Sequence, residues 1–285
     1  MEDLLSQLAH LTESQQGLLR DPPWELRARC LEALRAALHS GTNKLVTLAI
    51  QGLQKMLRDD RFASPFESDD ESLWLTTQLL DVLPPMTSLT EEAQVEIMRV
   101  LLNATCQSSW VANNALVVRI VTLCHQLCTL TPAGGPDMVA TAAQATACQA
   151  VRGFAAMLDE DYESALSEQQ DSASRAEEAP PVQVYEDVLP TYRHLCQQID
   201  QHAGKRPASP SGHPASLQFH LSTLLALLSA LPVRVQRCAG VLEQTWRQLT
   251  PALVRLLGSP TSERVGAVPA RRDPPPCVLL ILALI

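Results

Sequence analysis

The sequence predicts an all-α protein built of antiparallel helix pairs, and three observations carry that expectation. Across 285 residues only 4% are aromatic and glycine occurs 11 times, too sparse for sandwiches, barrels or glycine-looped nucleotide enzymes. Hydrophobic residues make up 46% of the chain and recur at three- and four-residue spacings. Prolines and polar clusters then cut these patterns into helix-length pieces. A chain of this size and composition buries a large core, which excludes disorder and disulfide-dependent miniproteins.

The first helix is expected over 24–39, capped at Asp21-Pro22-Pro23, with Cys30, Leu31, Leu34 and Leu38 on one face. After a turn at Ser40–Thr42, a second begins at Asn43 and buries Leu45, Leu48, Ala49, Gly52, Leu53, Met56 and Leu57. Residues 58–71 have no periodicity and read as a loop. A third helix spans about 72–83 until Pro84-Pro85, and Ser88-Leu-Thr-Glu91 fits a capping box opening a fourth, with Val95, Met98, Leu101, Leu102 and Thr105 inward. The face of Trp110–Leu130 is Val117, Ile120, Val121, Cys124, Leu127 and Cys128. In Asp137–Leu158 it is Val139, Ala143, Ala147, Ala150, Phe154 and Leu158, whose alanines permit close approach of a neighbour.

Asp159–Pro181 is acidic; its start prolongs the preceding helix and its second half is expected to be mobile. Helical pattern resumes over 182–203, and the Pro/Ser/Gly stretch 204–214 reads as a linker. Beyond it, Leu217–Leu231 and Val241–Leu257 are apolar helices, the latter carrying Trp246, Leu249, Leu253, Leu256 and Leu257. Helix pairs opening near Trp24, Ser72 and Trp110 recur at roughly the 40–47 residues of armadillo or HEAT repeats, so the expected architecture is an armadillo/HEAT-like solenoid of antiparallel helix pairs. The expected division is a solenoid over 1–203, the linker, a second helical unit begun over 215–260, and an unstructured or aberrant tail over 261–285.

The eight cysteines show no framework spacing and read as reduced core thiols, and the acidic N-terminus is no signal or transit peptide, so a cytoplasmic location is expected. Cys277–Ile285 is an unbroken apolar run of nine residues, about half of the roughly 20 that span a bilayer, and is expected to promote aggregation. A net charge of −9 disfavours nucleic acid as a partner. The charge is unevenly placed: residues 1–203 carry 13 Lys+Arg and 28 Asp+Glu, residues 204–285 carry 9 and 3, so their nets are −15 and +6.

Chemistry is sparse. His125 between Cys124 and Cys128 is the most metal-like cluster, yet no second Cys/His pair stands at zinc-site spacing; core packing of the thiols is favoured, with His125 facing outward. No nucleophile elbow, Walker loop, dinucleotide fingerprint or His-Glu-x-x-His is present. The carboxylates Glu67, Asp69, Asp70, Glu71 and Asp159, Glu160, Asp161, Glu163 lack calcium-loop alternation and read as solvated loop ends, with Ser68 and Ser164 among them as unsupported candidates for phosphorylation. No catalytic, cofactor-binding or metal residue is assigned, and no interaction residue is singled out.

Four strings then carry a resemblance: Asn43-Lys-Leu-Val-Thr-Leu-Ala-Ile-Gln-Gly-Leu-Gln-Lys-Met-Leu57, Gln94-Val-Glu-Ile-Met-Arg-Val-Leu-Leu102, the alanine-rich run 140–158, and Thr245-Trp-Arg-Gln-Leu-Thr-Pro-Ala-Leu-Val-Arg-Leu-Leu-Gly-Ser-Pro260. In this order they are similar to the N-terminal region of the large Arf guanine-nucleotide exchange factors of the BIG class. The resemblance implies a dimerisation and cyclophilin-binding (DCB) domain, armadillo-like and helical, followed by the start of a homology-upstream domain. It further implies a non-catalytic regulatory module in Golgi and secretory-vesicle traffic, with dimerisation, docking of protein partners or Arf/Arl-type small GTPases, and peripheral membrane association through partners. No segment resembles the exchange domain, and the Asn-Tyr-Asp box of the upstream domain is absent. The chain is therefore expected to be the N-terminal section of a longer protein, a truncated product or an incomplete gene model, with the resemblance ending near 260. A stand-alone HEAT-like scaffold with no link to Arf exchange stays open as the alternative, and an enzyme with a polar cleft as a third.

Overall fold

A computed structural model describes residues 22–59, 61–62, 67–107, 109–130, 138–172, 187–204 and 214–257. The described residues are helical with no strand, as expected for an all-α chain. Of the expected mobile half of 159–181, residues 173–181 lie outside them, as do residues 205–213 of the linker and the tail 261–285. Two compact units divide at Val111/Ala112.

The first unit opens with α1 (Pro23–Leu38), whose prolines sit where the missing N–H costs nothing. It ends at Leu38, and Gly41 follows in the turn, its φ of 68° being left-handed backbone that glycine adopts without a Cβ clash. The chain reverses there into α2 (Asn43–Arg58), and the two helices pack together. Their approach is close: a Cβ on Gly52 would lie 2.8 Å from Leu34 Cδ2. A short α3 (Leu75–Val82) packs on α1, and α4 (Glu91–Thr105) on α2 and α3.

Two expectations are corrected in this unit. The buried face of α2 is Val46, Ala49, Ile50, Leu53 and Met56, while Leu45 and Leu48 are 43% and 61% exposed. The stripe is rotated by about one residue, because Val46 and Ile50 join Ala49 and Leu53 in four-residue rows on the buried face of a helix that packs on α1 and α4. Likewise the cap of α4 is Thr90, which accepts from the Ala93 N–H; Ser88 lies in a preceding 3₁₀ turn, where its hydroxyl donates to the Pro85 carbonyl. Proline at 85 fixes that turn before the helix can start.

The second unit contains α5 (Asn114–Leu130), α6 (Met138–Ser172), α7 (Leu189–Gly204), α8 (Pro214–Ala230), α9 (Val233–Gln236), α10 (Ala239–Gln244) and α11 (Thr250–Leu257). A π turn, Thr245–Leu249, joins the last two into one helix. The stripes expected for α5 and α6 are buried throughout, and α6 packs on both α5 and α8 through Ala143, Ala147 and Ala150, which are 0% exposed. Gln144 adds a polar link, donating to the Thr223 hydroxyl at 3.2 Å. Helices α7 and α8, which flank the expected linker, pack against each other, and α11 packs on α7. Asn114 ties α5 to α7, its Oδ1 accepting from the Thr191 hydroxyl at 2.6 Å and from the Thr191 N–H.

Candidate functional site

Three features stand out from ordinary helix packing, and the first is a guanidinium inside the first unit. Arg27 on α1 is 1% exposed, an arrangement that a charge tolerates only when every donor is met. Its Nε donates to Gln78 Oε1, Nη1 to the Phe62 carbonyl and Glu67 Oε1, and Nη2 to Glu67 Oε2 at 2.5 Å and the Leu73 carbonyl. All five N–H groups are thereby used. Gln78 is held in turn by donating to the Trp24 carbonyl. Glu67 corrects the expectation of a solvated loop end; its side chain is 5% exposed because it neutralises Arg27. Asp70 does lie at the surface, where its carboxylate accepts from the Ser72 N–H and is held below the usual carboxylate range by that bond. The Ser68 hydroxyl is engaged by the Asp70 N–H.

The second feature corrects the outward His125. Ser216 on α8 places its hydroxyl between His125 Nε2 at 2.6 Å and His202 Nε2 at 3.1 Å, so α5, α7 and α8 meet on one oxygen. A hydroxyl has one proton, so it donates to at most one of these rings and accepts from the other. His220, one turn along α8, has its ring centroid 4.3 Å from that of His125 and 5.7 Å from that of His202, with planes tilted by 45° and 44°. It is buried, and its Nδ1 has no hydrogen-bond partner. Burial, reinforced by His125 and His202, pulls its pKa down to about 3; the Ser216 backbone opposes the shift without closing a bond of ordinary geometry. Burial lowers His125 too, with His202 and His194 adding to the effect, and burial lowers His194. Burial therefore favours the neutral form of His125, His194 and His220. Sequence reading missed the cluster because its members come from three helices far apart in the chain.

The expectation that the cysteines are core residues holds only in part: Cys106 is exposed, and Cys30, Cys148 and Cys238 are half-buried. Cys124, Cys128 and Cys196 are buried. Burial raises Cys124 and pushes Cys196 up to about 12, so neither presents a thiolate nucleophile. Among the described residues no group of three or more His, Cys, Asp or Glu is arranged to hold a metal ion, the histidine cluster included. A small cleft of about 220 Å³ lies between the α1–α2 turn and the Pro84–Pro85 segment, lined by Leu38, His39, Val46 and Ala93 among others; it contains no nucleophile–base pair.

The third feature is exposed apolar surface; Leu130, Met138 and Val233 are exposed singly, and two helices expose more than one large side chain. One is α2 in the first unit, with Leu45 and Leu48. The other, in the second unit, carries Leu242, Trp246, Val254 and Leu257, with Trp246 70% exposed, where periodicity predicts burial for Trp246 and Leu257. No described helix is long and apolar enough to cross a membrane.

Comparison with known proteins adds what the geometry cannot supply. Residues 1–159 match the family described as the Mon2/Sec7/BIG1-like dimerisation and cyclophilin-binding domain. The chain is 29% identical over 249 residues to brefeldin A-inhibited guanine nucleotide-exchange protein 3 of Mus musculus, and 27% identical over the same length to that of Homo sapiens. These matches cover 87% of the chain and 11% of each relative, so the chain spans about a tenth of their length. No solved structure matches the chain.

Proposed function

Because the chain belongs to the Mon2/Sec7/BIG1-like family of dimerisation and cyclophilin-binding domains, we propose that it is a regulatory, non-catalytic interaction module of an Arf guanine-nucleotide exchange factor-like protein. It acts by self-association and by docking protein partners, small GTPases of the Arf/Arl type among them, as a cytoplasmic protein held peripherally at Golgi or secretory-vesicle membranes. The observation that carries this reading is the family match over residues 1–159. The segments 1–203 and 215–260 are read as family segments in sequence, whereas compactness divides the chain at Val111/Ala112.

Within the matched segment, Leu45 and Leu48 on α2 supply the exposed apolar side chains that association would cover. Leu48 is the more exposed and serves as the test position. Sedimentation of the purified chain at tens of micromolar should show a dimer that Leu48→Asp weakens at least tenfold. A strict monomer for the unaltered chain overturns self-association. With no nucleotide-handling residues assigned, the chain alone should leave release of labelled GDP from Arf at its background rate; measurable acceleration would overturn the non-catalytic reading.

A further inference from the structure

The helix running from Ala239 to Leu257 has two apolar faces, and only one is used. Val241, Leu249, Ala252 and Leu253 are buried, and the helix packs on α7. Leu242, Trp246, Val254 and Leu257 are 42%, 70%, 57% and 41% exposed. The π turn at Thr245–Leu249 lines them up. At about 100° per residue, an uninterrupted α-helix would spread the four over about 120°; with one residue absorbed in the wider turn they fall within about 80°. The stripe is about 22 Å long at 1.5 Å per residue. Turns of this kind recur at functional positions inside helices, because a helix keeps an inserted residue only where something gains from the altered register.

The chain itself carries a matching occupant. Nineteen residues after Leu257, containing five prolines and five charged side chains, lead to Cys277-Val-Leu-Leu-Ile-Leu-Ala-Leu-Ile285, nine apolar residues without a charge. Nineteen residues reach up to about 65 Å, roughly three times the length of the stripe, so the apolar segment can be laid along any part of it. A covalent tether of this length presents the segment at an effective concentration in the millimolar range, well above that of any partner in solution. Leaving both the stripe and seven large apolar side chains in water is the costlier alternative for the same chain.

We infer that the exposed stripe Leu242, Trp246, Val254 and Leu257 is the docking site of the chain's own segment Cys277–Ile285. The contact shields the apolar segment from intermolecular association and occupies the stripe against other partners.

The test uses the full chain in a Cys106→Ser background, which removes the thiol exposed on the first unit. With Leu242→Cys added, mild oxidation at sub-micromolar protein should join the introduced thiol to Cys277 within one chain, at least tenfold faster than it joins a thiol introduced by Leu45→Cys to the same partner. Removing residues 277–285, or introducing Leu280→Asp with Leu282→Asp, should speed amide hydrogen exchange over 242–257 at least tenfold and leave exchange in α2 and α4 unchanged. Three results overturn the inference: exchange over 242–257 unaltered by both changes, equal cross-linking from positions 45 and 242, or cross-links formed only between chains, which would assign the stripe to a second copy.

Discussion

Alanine at position 27 would leave the Glu67 carboxylate and the Phe62 and Leu73 carbonyls without the donors that now meet them. Breaking one partner of a buried ion pair costs about 3–5 kcal/mol, much more than the pair itself contributes, because the abandoned charge stays desolvated. Arg27→Ala should therefore lower the stability of the first unit by that amount, read from the urea midpoint. The double change Arg27→Met with Glu67→Leu should recover much of the loss. The histidine cluster makes a prediction of opposite character. His220 is held near pKa 3 in the folded chain and returns to about 6.5 when unfolded, so the unfolded state binds the extra proton between those values. Stability of the second unit is thus complete above about pH 6.5 and declines as pH falls below it. The decline between pH 7 and 5 should be roughly 2 kcal/mol from this residue, and His220→Leu should flatten the slope. Both sites were illegible along the chain for one physical reason. Periodicity ranks residues by apolarity on one helix, whereas Arg27 and His125 are explained by partners at positions 67 and 216.

Helices with one dense apolar stripe, such as α5 and α6, were legible in every residue named for the stripe, although Leu116, Thr146, Val151 and Ala155 are buried beside it. Helix α2 was not, since Leu45 and Leu48 compete with Val46 and Ile50 for the core and the neighbours α1 and α4 decide between them. The start of α4 shows the same limit at a helix end. Ser88 and Thr90 both satisfy a capping preference in sequence, and the 3₁₀ turn at Met86–Ser88 selects Thr90. Thr90→Ala should cost about 0.5–1 kcal/mol, the low part of the range for a lost cap given the 3.4 Å bond to Ala93. Ser88→Ala should change stability by less than half as much, and comparison of the two melting temperatures distinguishes the caps. The π turn had no signal in the sequence, because Thr245–Leu249 has ordinary helix composition.

Over the whole chain, two compact units imply two responses to perturbation. Trp24, Trp74 and Trp110 lie in the first and Trp246 in the second, so tryptophan fluorescence follows chiefly the unit that contains Arg27. Arg27→Ala should shift that signal, while far-UV dichroism retains a second transition carried by α5 to α11. The all-α class and most of the helix order could be read from spacing and proline placement. The Val111/Ala112 division could not, because the polar stretch 204–214 is the stronger compositional break while α7 and α8 on either side of it pack together. The five-donor cradle around Arg27 also bears on how such a chain can diverge. No donor is left over, so neither Arg27, Glu67 nor Gln78 can drift alone, while the exposed acids beside them are free to change. Among related chains these three positions should be replaced together or kept together, and a comparison of their joint substitution would trace this fold where overall identity has faded.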